Sequence, residues 1–599
     1  MKQEFIRNFA IISHIDHGKS TLSDRLMEAT KTVSDREKAP QLLDSMGVEQ
    51  AHGVTVKSRT VQNHYLGNDG HEYQLNLIDT PGHVDFNYEV TKSLSATDGV
   101  ILLVDATQGV QAQTVANWRL AHDLGLPILP VLNKIDSASA QIEETEQQII
   151  DLDPSLAAQE IYHVSAKTGL GISELLEAIV HELPAPTGDE KAPLKALVFD
   201  SEYDAFKGVI AQVRVIDGSL TKGNSLVLMA NGQKLLAKEV GVYRPDRVPA
   251  DGLGAGEVGY VVTGIKDPKQ VTVGDTLTSQ QAPTKAPLPG YQKSQPVVYA
   301  GIYPVGDYKV LQEALQKLAL NDTSLVLTDD QSEAMGPGFR AGFLGIFHLQ
   351  IIKERLETEF GVEVVVTAPN VSYKVQVAQK GKEIETVIVN NPTRFPEFSQ
   401  VLAVEEPMVQ ATITTPNESV NALMKLADDY RGEFADMGNQ GDYVRLVYKM
   451  PLSEIAYDFF NQLKSISHGY ASFSTAAIGY QEADLVKVDV QINYATVDAL
   501  SFVIHRSRVE EQTQKLVHEL KMTVPRRLYP MPVQAVVEGR VVARVDVPPL
   551  RKNVAVNGSS YSISKKQALL RRQSANKRQA AQSDIELPQA VFNTLLSLN

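Results

Sequence analysis

Short apolar runs at Phe9–Ile12, Gln74–Ile78, Val100–Val104, Ile128–Leu132 and Ile161–Val164 alternate with stretches whose apolar residues recur every three or four positions. Fully apolar strands separated by amphipathic helices predict a mostly parallel sheet covered on both faces across residues 1–185. Leu183-Pro-Ala-Pro-Thr-Gly188 then reads as a linker, because two prolines and a glycine interrupt either period. From 190 to 285 the texture changes to short alternating strands with glycine turns, as at 208–218 and 256–261, which predicts a small antiparallel β-barrel. A proline-rich joint follows at 283–296. Residues 295–370 then give strand, helix (309–319), strand, helix (343–360), strand. Residues 404–484 repeat that order, with Val409–Thr414, a helix near 417–428, Tyr443–Tyr448, a helix near 452–468 and Ala471–Gly479. Two ferredoxin-like sandwiches of split-βαβ type are therefore expected, joined by a connector at 371–403. The remainder, 485–599, mixes its periods, and periodicity assigns it no fold. The chain reads as a multidomain α/β and α+β protein.

With 599 residues, 43% of them apolar, several sizeable cores are available and nothing in the composition suggests wholesale disorder. The absence of cysteine excludes disulfides, thiolate zinc sites and a cysteine nucleophile, and is compatible with a reducing cytosol. The opening MKQEFIRNFAII runs straight into a strand pattern, so no cleavable signal peptide is expected. No apolar run reaches the ~18 residues that span a bilayer. A net charge of −15 argues against indiscriminate nucleic-acid binding by the whole surface. The exception is residues 551–583, which hold eight Lys or Arg and no Asp or Glu.

Four short motifs, each at the end of an apolar run, carry chemistry that belongs together. Ser13–Ser20 has the phosphate-loop spacing GxxxxGK[ST], with Ser13 in place of the first glycine. In such a loop backbone N–H groups cradle phosphates, Gly18 permits the turn, Lys19 meets the β- and γ-phosphates and the Ser20 hydroxyl ligates magnesium. Asp79 ends a strand where a carboxylate can hold the metal through water, and Gly82 can offer its N–H to the γ-phosphate. His83 follows where an imidazole can orient attacking water. In Asn133-Lys134-Ile135-Asp136, the Asp136 carboxylate can accept from guanine N1–H and its exocyclic amine, which adenine does not present in that pattern. Lys134 can lie over the base and Asn133 can tie this loop to the phosphate loop, while the turn Ser165-Ala166-Lys167 can give a main-chain N–H to guanine O6. Thr55 is the candidate second hydroxyl on magnesium. His14 and His17 are expected to pack the loop, since no Asp/His cluster accompanies them as metal ligands.

Taken together, HIDHGKST, GVT, DTPGHVDF, NKID and SAK resemble the translational GTPases that work on the ribosome. Residues 105–114, 183–188 and 338–345, with His348, Glu354–Glu357, Glu405–Pro407 and 539–544, narrow the resemblance to the LepA, or elongation factor 4, family along essentially the whole chain. That resemblance implies a ribosome-dependent GTP hydrolase with bound magnesium. Its domains would resemble the first, second, third and fifth of elongation factor G, and a family-specific C-terminal domain would reach towards transfer RNA. It implies binding to ribosomes in the GTP state and a fidelity role under stress by one-codon back-translocation, with ribosome assembly or initiation as the alternative. It also implies a monomer in the cytoplasm with peripheral association to the cytoplasmic membrane. Asp16, His17, Gly18, Lys19, Ser20 and Thr21, with Asn133 through Asp136, carry over as nucleotide contacts, and Thr55, Asp79, Gly82 and His83 as switch residues. The chain departs from the family where it has Ser13 instead of a small alanine and Gln50–Thr55 instead of RERGIT, so both arginines of the first switch are missing. At 557–561 it has Asn-Gly-Ser-Ser-Tyr in place of Cys-Tyr-Gly-Gly-Asp. The basic tail suits an RNA backbone, with Arg551, Lys552, Tyr561, Lys565, Lys566, Arg571 and Arg572 as candidate contacts. A forward translocase would need a large insertion between the two sandwiches, and the 33 residues of 371–403 do not supply one.

Overall fold

The structure, a computed structural model, describes residues 1–550 together with 587–588 and 591–592. Within 1–550 it leaves out 34–41, 44–45, 53–54, 82–85, 290–295, 323, 333–334, 368, 379–383, 441–442, 456–458, 468–470 and 528. Gly82, His83 and all the candidate RNA contacts of the tail therefore lie outside the described residues.

The N-terminal domain is a six-stranded sheet of β1 (Ile6–Ser13), β2 (Arg59–Leu66), β3 (Glu72–Asp79), β4 (Gly99–Asp105), β5 (Ile128–Asn133) and β6 (Tyr162–His163), in the order β2-β3-β1-β4-β5-β6. The last five strands of that order are parallel to one another, and β2 runs antiparallel to β3 at the edge. Period-two alternation within β1 decides which helices cover which face. Phe9 and Ile11 pack with Leu22 and Leu26 of α1 (Lys19–Ala29) and Leu176 of α6 (Ile172–Glu182). Ala10 and Ile12 turn the other way, towards Val90 of α3 (Asn87–Leu94), Val115 of α4 (Ala112–Asp123) and Ile149 of α5 (Ile142–Leu152). A strand buried on both faces reads as an unbroken apolar run, as β1 and β4 do. A short helix, α2 (Gly47–His52), precedes β2.

An antiparallel eight-stranded barrel sheet spans Lys195 to Ser279 around Val198, Val213, Leu226 and Val261. It is pinned to the N-terminal domain by polar contacts. Arg214 donates to Thr97 O at 2.9 Å, Asn8 Nδ2 donates to Gly256 O at 2.9 Å, and Arg244 Nε donates to Gln62 Oε1 at 3.0 Å.

The third domain has strands Val298–Pro304, Val326–Ser332, Gly336–Phe343 and Val364–Val366 with helices Tyr308–Asn321 and Ile346–Thr358. The fourth has strands Val401–Pro416, Glu433–Gln440, Tyr443–Pro451 and Ser472–Glu482 with helices Val420–Asp429, Leu452–Glu454 and Phe460–Ile466. Numbered within each domain, both sheets have the strand order 4-1-3-2, the ferredoxin-like arrangement. Each holds one more strand than the apolar pattern indicated. The stretch expected to be a connector is a hairpin, Tyr373–Val377 with Glu385–Val389, that extends the fourth domain's sheet. It pairs with residues 401–405 of the sixteen-residue strand Val401–Pro416, whose residues 405–414 pair with the domain's last strand. Beyond it, Leu485–Ile492, Phe502–His505, Met531–Val537 and Arg540–Val547 form a further antiparallel sheet, covered by the helix Val509–Thr523 through Leu516 and Leu520.

Candidate nucleotide-binding site

The site is built where parallel strands end and α1 begins. After Ser13 the chain turns through Asp16, with φ 64°, and Gly18, with φ 94°, before Lys19 opens the helix. A side chain at position 18 would be strained by that backbone and would meet the carboxamide of Asn133. The turn leaves the first amides of α1 without intrahelical partners, which is the arrangement that accepts phosphate oxygens. His17 N–H donates to His14 O at 3.4 Å within the loop.

Lys19 is buried, and its ammonium donates to Thr55 Oγ1 at 2.8 Å and to Asp79 Oδ1 at 2.6 Å, while Thr55 Oγ1 donates to Asp79 Oδ2 at 3.4 Å. A positive charge thus stands between a hydroxyl and a carboxylate at the mouth of the phosphate loop. Oxygen donors of this kind, with the Ser20 hydroxyl one residue along, suit a hard divalent cation such as magnesium. Asp79 is wholly buried at the end of β3, and Thr80 Oγ1 beside it donates to Ile11 O at 2.8 Å, fixing that strand end to β1.

Thr55 is held by a residue that sequence reasoning missed. The buried Glu49 of α2 accepts the N–H groups of Met46 and Val56 at 3.0 Å and of Lys57 at 3.2 Å, so one carboxylate ties the two residues that follow Thr55 to the start of α2. Lys57 in turn donates from Nζ to Ser201 O of the barrel at 3.2 Å and to Asn321 O of the third domain at 3.5 Å. Nothing in residue spacing announces either contact, since both depend on chain folded from far away.

The base-side motifs converge on one carboxamide. Asn133 Nδ2 donates to His17 O at 2.9 Å and Asn133 Oδ1 accepts the Ala166 N–H at 3.0 Å, joining three motifs at one side chain. Lys134, with φ 63°, donates to Asp16 O at 2.7 Å and pairs with Asp105 Oδ2 at 2.7 Å. Burial pushes the Asp105 carboxyl up, but its bonds from Lys134 and Thr107 outweigh that and hold it below the usual range. Arg25 of α1 donates to Ala166 O and to Lys167 O, both at 3.0 Å, so the Ser165–Lys167 turn is also tied to the helix that carries Lys19. Asp136, three residues beyond Asn133, is exposed. Thr21 is exposed and Ile135 half-buried.

His14 and His17 are buried beneath the loop with ring centroids 5.2 Å apart. Each accepts a main-chain N–H at Nδ1, from Gln113 at 3.4 Å and Asp105 at 3.3 Å. Burial pushes their pKa values down to about 3 and about 4. Both lie below the unfolded value of about 6.5, so unfolding takes up protons between pH 6.5 and about 4 and stability falls with pH through that window. At pH 5.5 the two together remove roughly 3 kcal/mol relative to pH 8, or about 6–10 °C for a domain of this size. Trp118, the chain's single tryptophan, lies on α4, the helix whose Gln113 meets His14, and reports the transition by fluorescence. The expected melting temperature is flat from pH 7 to 8 and falls below pH 6.5, and His14→Gln should flatten that fall by about half. An equal fall in the variant would refute the assignment.

Residues 4–185 match the family model described as Elongation factor Tu GTP binding domain, and 208–278 that of Elongation factor Tu domain 2. Residues 403–491 match Elongation factor G C-terminus, and 492–597 match GTP-binding protein LepA C-terminus. A solved structure from Thermus thermophilus shares the fold with a TM-score of 0.57 and 20% identity, covering 80% of this chain and 97% of its own. Elongation factor 4 of Bacillus subtilis is 47% identical over 602 residues, spanning 100% of this chain and 98% of its own. Elongation factor 4 2 of Lactiplantibacillus plantarum is 59% identical over 599 residues, 100% of both chains. With identity of that extent from end to end, this chain belongs to the elongation factor 4, or LepA, family and is a translational GTPase that hydrolyses GTP.

Proposed function

We propose that this protein is a ribosome-activated GTPase that engages ribosomes in its GTP state and corrects improperly translocated transfer RNAs by moving them back one codon. The observation that carries the nucleotide half of this reading is the contact of Lys19 with both Thr55 and Asp79. It gathers the phosphate-binding cation and two switch residues at one point, where the γ-phosphate and Mg2+ would be sensed together. Ser20 and Thr55 would hold Mg2+ by their hydroxyls, with Asp79 acting through water. When bound, the ion neutralises charge developing on the transferred phosphoryl group. Lys19 shares that charge, the loop amides orient the phosphates, and Asn133 and Lys134 keep the base-side loop in register with them. His83 orients the attacking water. Asp136 selects guanine, and Ser165 through Lys167 close the far edge of the base. The contacts of Lys57 support a route by which Thr55 affects the barrel and third domain. The eight cations of 551–583 support contact with ribosomal or transfer RNA. The protein works in the cytoplasm, and the family's peripheral contact with the membrane face belongs to the same reading. Among the described residues no helix is long and apolar enough to cross a membrane.

The test is GTP turnover with and without 70S ribosomes for the parent and for His83→Ala. Ribosomes should raise the parent's turnover, and the substitution should remove roughly 10²–10³-fold of the stimulated rate, the range for losing one positioned catalytic group. Normal stimulated turnover by His83→Ala would leave the protein a nucleotide-gated binding module. A primer-extension assay on ribosomes stalled after translocation then separates back-translocation from an assembly role, because only the former shifts the ribosome's edge by one codon.

A further inference from the structure

Residues 105–114 carried the family resemblance, and the first two of them bond to the base-side loop, Asp105 to Lys134 at 2.7 Å and the Ala106 N–H to Asn133 O at 2.9 Å. The helix they lead into lies directly behind the phosphate loop. Asn117 Nδ2 on α4 donates to Ser13 O at 3.0 Å. Gln113 Oε1 accepts the Ile15 N–H at 3.0 Å, and the Gln113 N–H donates to His14 Nδ1 at 3.4 Å. Both side chains are buried and stand one helical turn apart, so one face of α4 grips three successive loop residues. Asp105 and Lys134 hold the next two, His17 and Asp16. The outer side of α4 is braced by the fourth domain's strand Ser472–Glu482.

The consequence concerns the direction of the loop's peptide groups. A phosphate cradle works only if successive N–H groups point inwards. Here the left-handed Asp16 turns the peptides that follow it, while the N–H of Ile15, one residue earlier, points outwards into Gln113. Take that acceptor away and the Ile15 N–H is left part-buried and unpaired. The peptide joining His14 to Ile15 then gains by rotating, and rotation breaks the bond from His17 N–H to His14 O that closes the turn. We propose that Gln113 and Asn117 are positioning residues for nucleotide binding: they hold Ile15 N–H and Ser13 C=O from behind and set the loop in its phosphate-accepting geometry before the ligand arrives. The inference rests on the nucleotide reading of the site, and its first readout needs no ribosome, so the two can fail separately.

Gln113→Leu and Asn117→Leu remove the polar contacts at nearly constant volume. Stopped-flow release of N-methylanthraniloyl-GDP from the full chain should be about tenfold faster in each, the size expected for one lost buried bond. In ribosome-stimulated hydrolysis the KM for GTP should rise by about the same factor with kcat within about twofold, because binding is lost equally from ground and transition states. A merely structural defect would lower kcat through the active fraction and leave KM alone. Trp118 fluorescence monitors folding, and Asn117→Ser serves as the milder variant if either leucine variant melts early. Unchanged GDP release in a folded variant, or a fall in kcat at constant KM, would overturn the proposal.

Discussion

Lys19→Met is expected to cost GDP binding roughly 10²-fold or more and to loosen the unliganded N-terminal domain in the same stroke. The two losses have different causes. In the liganded protein the ammonium meets phosphate oxygens, and a hydrogen bond to a charged partner contributes about 1.5–3 kcal/mol. In the structure the same ammonium sits 2.6 Å from Asp79, whose side chain is 0% exposed. Methionine fills the space without the charge and leaves that carboxylate buried without its cation, a loss of about 3–5 kcal/mol for a broken buried pair. The destabilisation of the free state hides part of the binding defect, so affinity alone understates the role of Lys19. Titration with N-methylanthraniloyl-GDP and melting followed at Trp118 separate the two. A variant that binds within threefold of the parent would remove Lys19 from the phosphate site.

Asp136→Asn should trade guanine for xanthine. A carboxylate offers two acceptors, which match the N1–H and 2-amino donors of guanine. A carboxamide offers one acceptor and one donor, which match the N1–H and 2-oxo groups of xanthine. Mismatch in a site built to hydrogen-bond its ligand is costly because buried polar groups are left unpaired, and roughly 10³–10⁴-fold loss of GTP affinity is expected. XTP should bind the variant far better than it binds the parent. Asp136 is exposed and its neighbours Asn133 and Lys134 carry the loop's internal bonds, so the exchange should leave folding intact. If GTP and XTP keep their order, the base lies elsewhere.

Why so much of this pocket could be read in advance follows from its chemistry. Phosphate, metal and base each demand particular groups at short, fixed separations along the chain, so Lys19, Asp79, Asn133 and Ala166 announce themselves as local motifs. Their supports do not. Gln113 and Asn117 act through main-chain atoms of residues about a hundred positions away, Glu49 acts through main-chain N–H groups nearby, and a lone polar side chain on a helix carries no signal of what it will bond. The parallel strands were legible for the same local reason, since burial on both faces leaves them apolar throughout.

The missed elements share a physical pattern. Strand β2 reads Arg-Thr-Val-Gln-Asn-His-Tyr-Leu, and its buried Thr60 and Gln62 look like loop residues until their partners are seen. Those partners, Gln212 and Arg244, come from the barrel. Glu433–Gln440 is a polar edge strand, exposed as edges often are, and an alternation rule tuned to buried faces passes over it. The hairpin at Tyr373–Val377 alternates cleanly, but its pairing with a strand shared by two neighbours is a long-range fact. Leu485–Ile492 alternates as well, and its place beside Met531–Val537 could not be inferred from either segment alone.

Thr55 and Lys57 are neighbours but one, and the second of them has its ammonium lodged against carbonyls of two other domains. Any displacement of the threonine away from Lys19 and Asp79 pulls on a backbone only two residues long before it reaches that lysine. Slack at the pocket would thereby be felt at a joint between three domains within a single turn of chain.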